Sequence, residues 1–151
     1  MTETSAMVSQ SGFWLHPGIF LLLGALVIPF LKGTVQQGYR VALALAFIFV
    51  VFQTQPGIHG QFTVGDMTFV TGRADKLALV FAYVFSLITL IATIYSLHVK
   101  DNVQHVTALI YASAAVGVTF AGDLLTLYVF WEMMMLASVW LIWRRQRATS
   151  Y

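Results

Sequence analysis

The segment DLLTLYVFWEMMMLASVWLIW, Asp123 to Trp143, is apolar on both flanks of a single internal carboxylate, Glu132. It is long enough to cross a hydrocarbon core of roughly 30 Å as a helix, which takes about 20 residues. It lacks the period-2 alternation that a barrel strand needs, so a membrane-spanning helix is the expected element. Glu132 follows Asp123 by nine positions. At the helical rise this carries it roughly 13 to 14 Å into the membrane, close to the midplane. An acid at that depth costs on the order of 3 kcal/mol even on the insertion scale. An ionised carboxylate there needs a cation or water beside it.

The composition places the whole chain in the same environment. Of 151 residues, 59% are hydrophobic and 9% charged, against about a quarter charged in a soluble domain. Such a surface calls for lipid rather than water, and the class is an integral membrane protein. The chain has no cysteine, which excludes disulfides, thiolate metal sites and a cysteine nucleophile. Its basic residues lie between apolar runs rather than in a patch, so nucleic acid is not an expected partner. The polar start, residues 1–12, lacks the basic region that opens a cleavable signal peptide and reads as a native tail.

Five apolar runs are predicted as helices: 13–31, 39–53, 77–97, 106–122 and 123–143. The fold expected is thus all-α and polytopic, ending in a basic tail over 144–151. Between the second and third runs, QFTV-GD-MTFV reads as a hairpin with a Gly-first two-residue turn, the alternative being an unstructured loop. With the amino terminus outside, the inner side carries Lys32, Arg40, Lys100, Arg144, Arg145 and Arg147, and the outer side carries Arg73 and Lys76. This positive-inside bias orients the chain N-out in the cytoplasmic membrane, with the hairpin outside and the basic tail in the cytoplasm.

The polar residues within the runs define the candidate site. Glu132 is suited to a proton pathway; the alternative is a neutral acid bonded to a neighbouring helix. Tyr128, one turn earlier on the same face, is either a hydrogen-bond partner of that carboxyl or a packing residue. Every Lys and Arg is assigned to a span end or beyond, so the cationic partner of Glu132 is expected from helices or subunits outside these five. In the third run Tyr83, Ser86, Thr89, Thr93 and Ser96 form one mildly polar face, which either lines water or bonds across to another helix. Ser113, Gly117 and Ala121 form a small-residue ridge for close packing. Trp140 and Trp143 suit an interfacial belt. His98 and His105 fall in a loop with Lys100 and Asp101. The spacing of the histidines is unlike that of helical metal ligands, and GVTFAGD lacks the Lys-Ser/Thr of a phosphate loop. No cofactor or metal is expected, and no catalytic set is present in this chain.

The run from Gly122 to Glu132, GDLLTLYVFWE, resembles the fifth transmembrane helix of the antiporter-like subunits. These are shared by Mrp-type multisubunit Na+/H+ antiporters and proton-pumping NADH–quinone oxidoreductases, with similar subunits in membrane-bound hydrogenases. RADKLALVFAYVFSLITLIATIYSLH is similar to the family's third helix, and WLHPGIFLLLGALVIPFLKG is most similar to the D-type member of the antiporter branch. The resemblance implies that Glu132 is the family's membrane glutamate, with Asp123 and Tyr128 in supporting positions. It also implies proton movement coupled to Na+ or another monovalent cation, other membrane subunits as partners, and no catalysis by this chain alone. The lysines that pair with the glutamate lie beyond the family's fifth helix, so the chain is expected to be an amino-terminal part of such a subunit or a split one. The residues leave open membership of a redox-driven pump and a non-transporting assembly role.

Overall fold

The computed structural model describes residues 14–148; the tail 1–12 and the last residues of the basic tail lie outside them. Five helices run in chain order: α1 (Pro17–Val27), α2 (Gly33–Gln53), α3 (Lys76–Tyr95), α4 (Asn102–Phe120) and α5 (Leu124–Ala148). Strands β1 (Gly57–Val64) and β2 (Met67–Ala74) form a two-stranded hairpin between α2 and α3. Four helices, α2 to α5, are long and apolar enough to cross a membrane. The chain is therefore a mostly helical, multi-pass membrane protein.

The first run differs from its expected length. Pro17 at the first helical position starts α1 late, and Pro29 within Ile28–Phe30 tightens its end to a 3-10 turn. The two pieces together reach only about 22 Å, short of the hydrocarbon core. The second run is longer than expected. Gly33, at φ +66°, turns the chain into a helix that already includes the polar stretch TVQQGY. Arg40, assigned above to an inner loop, is consequently inside α2 and only 3% exposed. A reading for unbroken apolar runs hides this, because one cation and two glutamines interrupt the start of the helix although its mean hydropathy still suits a span.

The hairpin has the register Val64↔Met67 through Gly57↔Ala74, closed by the two-residue Gly65-Asp66 turn. Gly65 takes φ +63°, a left-handed value that glycine adopts without steric cost. The amide of Gly122 donates to the Val70 carbonyl at 3.2 Å, fastening β2 to the junction of α4 and α5.

Helix α4 is central, packed by α1, α3 and α5, while α2 closes on α3 and α1. The small ridge makes these contacts possible. The Ser113 hydroxyl donates to the Gly18 carbonyl at 2.6 Å, and a Cβ on Gly117 would lie 2.2 Å from the Phe130 ring. Phe47, Phe120, Leu21 and Ile28 are completely buried between the helices. With lipid as apolar as the core, such close packing rather than water exclusion holds the helices together.

Candidate functional site

Asp123 caps α5: its Oδ1 accepts from the Thr126 amide at 2.6 Å and its Oδ2 from the Val70 amide at 2.7 Å. The same carboxylate therefore satisfies the first helical turn and locks the hairpin over it. Two turns further along the helix stands Glu132, about 12 Å from Leu124 along the axis.

The face on which Glu132 stands is set by what α5 buries. Among its described side chains only Phe130 and Ala137 are buried, both against α4. Glu132 lies roughly 160° around the helix from Phe130. Its neighbours on that far side, Tyr128, Leu136 and Val139, are 62%, 66% and 57% exposed. Glu132 therefore points away from the helix pack and is half-buried on its own helix. Tyr128, one turn earlier on the same exposed face, is electrostatically coupled to Glu132. Among the described residues no Lys or Arg forms an ion pair with Glu132. Arg40, the cation found inside α2, approaches from the opposite end of the bundle, on a helix that packs against α1 and α3.

The polar stripe of α3 behaves differently from the interhelical reading. Ser86, Thr89, Thr93 and Ser96 donate to carbonyls of their own helix, those of Tyr83, Phe85, Thr89 and Thr93. A hydroxyl three or four residues after a carbonyl reaches it without any partner helix, and this local bond wins. Only Ser96 also reaches across, to Nδ1 of His105 at 3.4 Å. His105, placed above in a solvated loop, is 6% exposed on α4, its Nε2 against the Val99 carbonyl at 2.8 Å. The loop reading failed because Asp101 accepts from the Val103 amide at 3.1 Å and starts α4 before His105 is reached.

Arg40 and His105 were missed as a buried polar pair. The signal available in the sequence was a cation followed without a break by an apolar run, which is how a helical cation reads as well as a loop one. Among the described residues no three His, Asp or Glu side chains come together as metal ligands. No family model, curated protein or solved structure matches the chain.

Proposed function

We propose that this chain is a proton-conducting membrane subunit, or the amino-terminal part of one, in a multisubunit cation/proton antiporter, with Glu132 as the group that carries or relays the proton. The observation carrying this reading is a carboxylate in the middle of a membrane helix, aimed away from the helices it packs with. A charge facing lipid hydrocarbon is costly, and intramembrane acids accordingly face a bundle interior or a water-filled path. The outer face of α5 is therefore an interface for further helices, which bring a cation or water to Glu132. Tyr128, one turn toward the hairpin end on the same face, is placed to hydrogen-bond the carboxylate. The similarity of GDLLTLYVFWE to the antiporter-like fifth helix supports the same assignment.

In this reading the amino terminus and hairpin face outward, and the basic end of α5 faces the cytoplasm. Removing Arg40 from the loop tally leaves five basic residues at that end against two at the hairpin end, so the charge bias persists. The test is Glu132→Gln in the complete complex, assayed as cation-driven proton movement in inverted membrane vesicles. Exchange is expected to fall to background while the subunit still co-purifies with its partners. Undiminished exchange overturns the assignment and leaves Glu132 a neutral packing residue.

A further inference from the structure

Arg40 is 3% exposed, yet its Nε and Nη1 groups have no hydrogen-bond partner. A guanidinium keeps its charge and carries five donors in a rigid fork, so leaving two of them unmet inside a protein is costly. Arg40 also lines a cavity of about 480 Å3, whose wall otherwise comes mostly from α3 and α4, with Leu141 of α5. Its polar lining comprises Thr89, Thr93 and Tyr95 on α3, Ser96 just past it, and Gln104, His105 and Tyr111 on α4. None of these accepts from Nε or Nη1 of Arg40. The hydroxyls of Thr89, Thr93 and Ser96 donate to carbonyls of their own segment, and the imidazole is engaged by Val99 and Ser96.

No Asp or Glu lines the cavity. The carboxylate at this end of the bundle, Asp101, is taken by Arg144 at 2.9 Å and by its helix cap. The cavity wall thus carries one guanidinium and no carboxylate. It runs from the α3 carboxyl end and the α4 amino end, near the level of bilayer headgroups, to Ile88 and Tyr111 further into the bundle. Tyr95 and Ile88 on this wall are 79% and 55% exposed.

We propose that this cavity binds a phosphate group through the guanidinium of Arg40. Phosphate oxygens match the fork geometry of arginine and satisfy two donors together. The phosphate belongs either to an anionic phospholipid entering sideways or to inorganic phosphate arriving from water. The exposed apolar wall at Ile88 favours the lipid, with its headgroup inside and its chains along Ile88 and Ala92. The inference is independent of Glu132.

The full-length chain purified in neutral detergent provides the test. Native mass spectrometry after incubation with phosphatidylglycerol or phosphatidylcholine micelles reads retained lipid. Unfolding temperature is followed with each lipid and, separately, with inorganic phosphate. The wild type is expected to retain phosphatidylglycerol roughly tenfold more strongly than phosphatidylcholine, a preference that Arg40→Met abolishes. Arg40→Lys keeps the charge but not the fork, and retains the lipid several-fold less. Arg144→Gln, which removes a charge outside the cavity, keeps the full preference.

A second readout separates binding from folding. Without lipid, Arg40→Met is expected to unfold no earlier than the wild type, because it deletes an unpartnered buried charge. With phosphatidylglycerol only the wild type gains stability, so the order reverses. Stabilisation by inorganic phosphate alone, again lost in Arg40→Met, supports the site and assigns the free anion as its occupant. Equal lipid retention by wild type and Arg40→Met, or a wild type unmoved by every phosphate compound, overturns the proposal.

Discussion

At the scale of single residues, the carboxylates sort themselves by elimination. Of six acids in the chain, Asp75, Asp101 and Asp123 accept from backbone amides at the starts of α3, α4 and α5. Asp66 occupies the hairpin turn, and Glu3 lies outside the described residues. Glu132 alone stands in a helix interior, where the backbone offers it no free donor. Tyr128, one turn earlier on the same face, is the hydroxyl the sequence offers it. Replacing Tyr128 with Phe keeps the packing surface and deletes the hydroxyl, so stability is expected to change by under about 1 kcal/mol. The carboxyl band of Glu132, identified by its disappearance in Glu132→Gln, should move to higher infrared frequency as the bond is lost. An unmoved band shows that the phenol does not serve the carboxyl. Glu132's place along α5 was legible in the sequence, since counting from Asp123 suffices. Its direction was not, because a helix with apolar residues all round does not declare which side will be covered.

At the scale of elements, the contact of α4 with α5 depends on the absence of a side chain. A Cβ at Gly117 meets the Phe130 ring far inside van der Waals distance, so Gly117→Ala is expected to destabilise by about 1–3 kcal/mol through overpacking. Adding Phe130→Leu should recover part of that loss, as coupled neighbours do. Independent, additive effects in a detergent unfolding series would show that the two residues are not in contact. Where α4 begins, the guanidinium of Arg144 holds the Asp101 carboxyl below the usual carboxylate range; partial burial opposes this and the first α4 amides add to it. A value depressed in the folded state means that the stabilisation is present above the unfolded value of about 4 and is lost as pH falls through the lower folded one. Lowering the pH from 5 to about 3 should therefore reduce the wild-type unfolding temperature more than that of Asp101→Asn, which retains a helix cap. Parallel curves would discount the pair. The long spans α3, α4 and α5 were readable because their runs are apolar apart from Glu132, although α4 begins at Asn102, before its expected start. The ends of α1 and α2 were not, since Pro29 and the polar TVQQGY act through backbone geometry that hydropathy does not register.

At the scale of the whole molecule, α4 is surrounded while α5 is held on one side only, which leaves the bundle asymmetric. One end carries the hairpin clasp of Val70, Gly122 and Asp123; the other carries Arg144 paired with Asp101. The helices alternate in direction between these ends, so orienting any one loop orients all of them. The proposed orientation, with the hairpin outside, rests on charge bias, and the lack of native cysteine makes it directly measurable. A cysteine at Asp66, in the exposed hairpin turn, is expected to react with a membrane-impermeant maleimide on intact cells. A cysteine at Lys100, between α3 and α4, should react only after the membrane is opened. The two positions lie at opposite ends of the bundle, and each serves as the control for the other. Labelling of Lys100→Cys in intact cells with protection of Asp66→Cys would invert the topology. Glu132 would keep its mid-membrane depth in that case, because depth along α5 does not depend on which end faces out. The Arg40 cavity would move to the opposite leaflet, and its lipid would then have to be supplied from there.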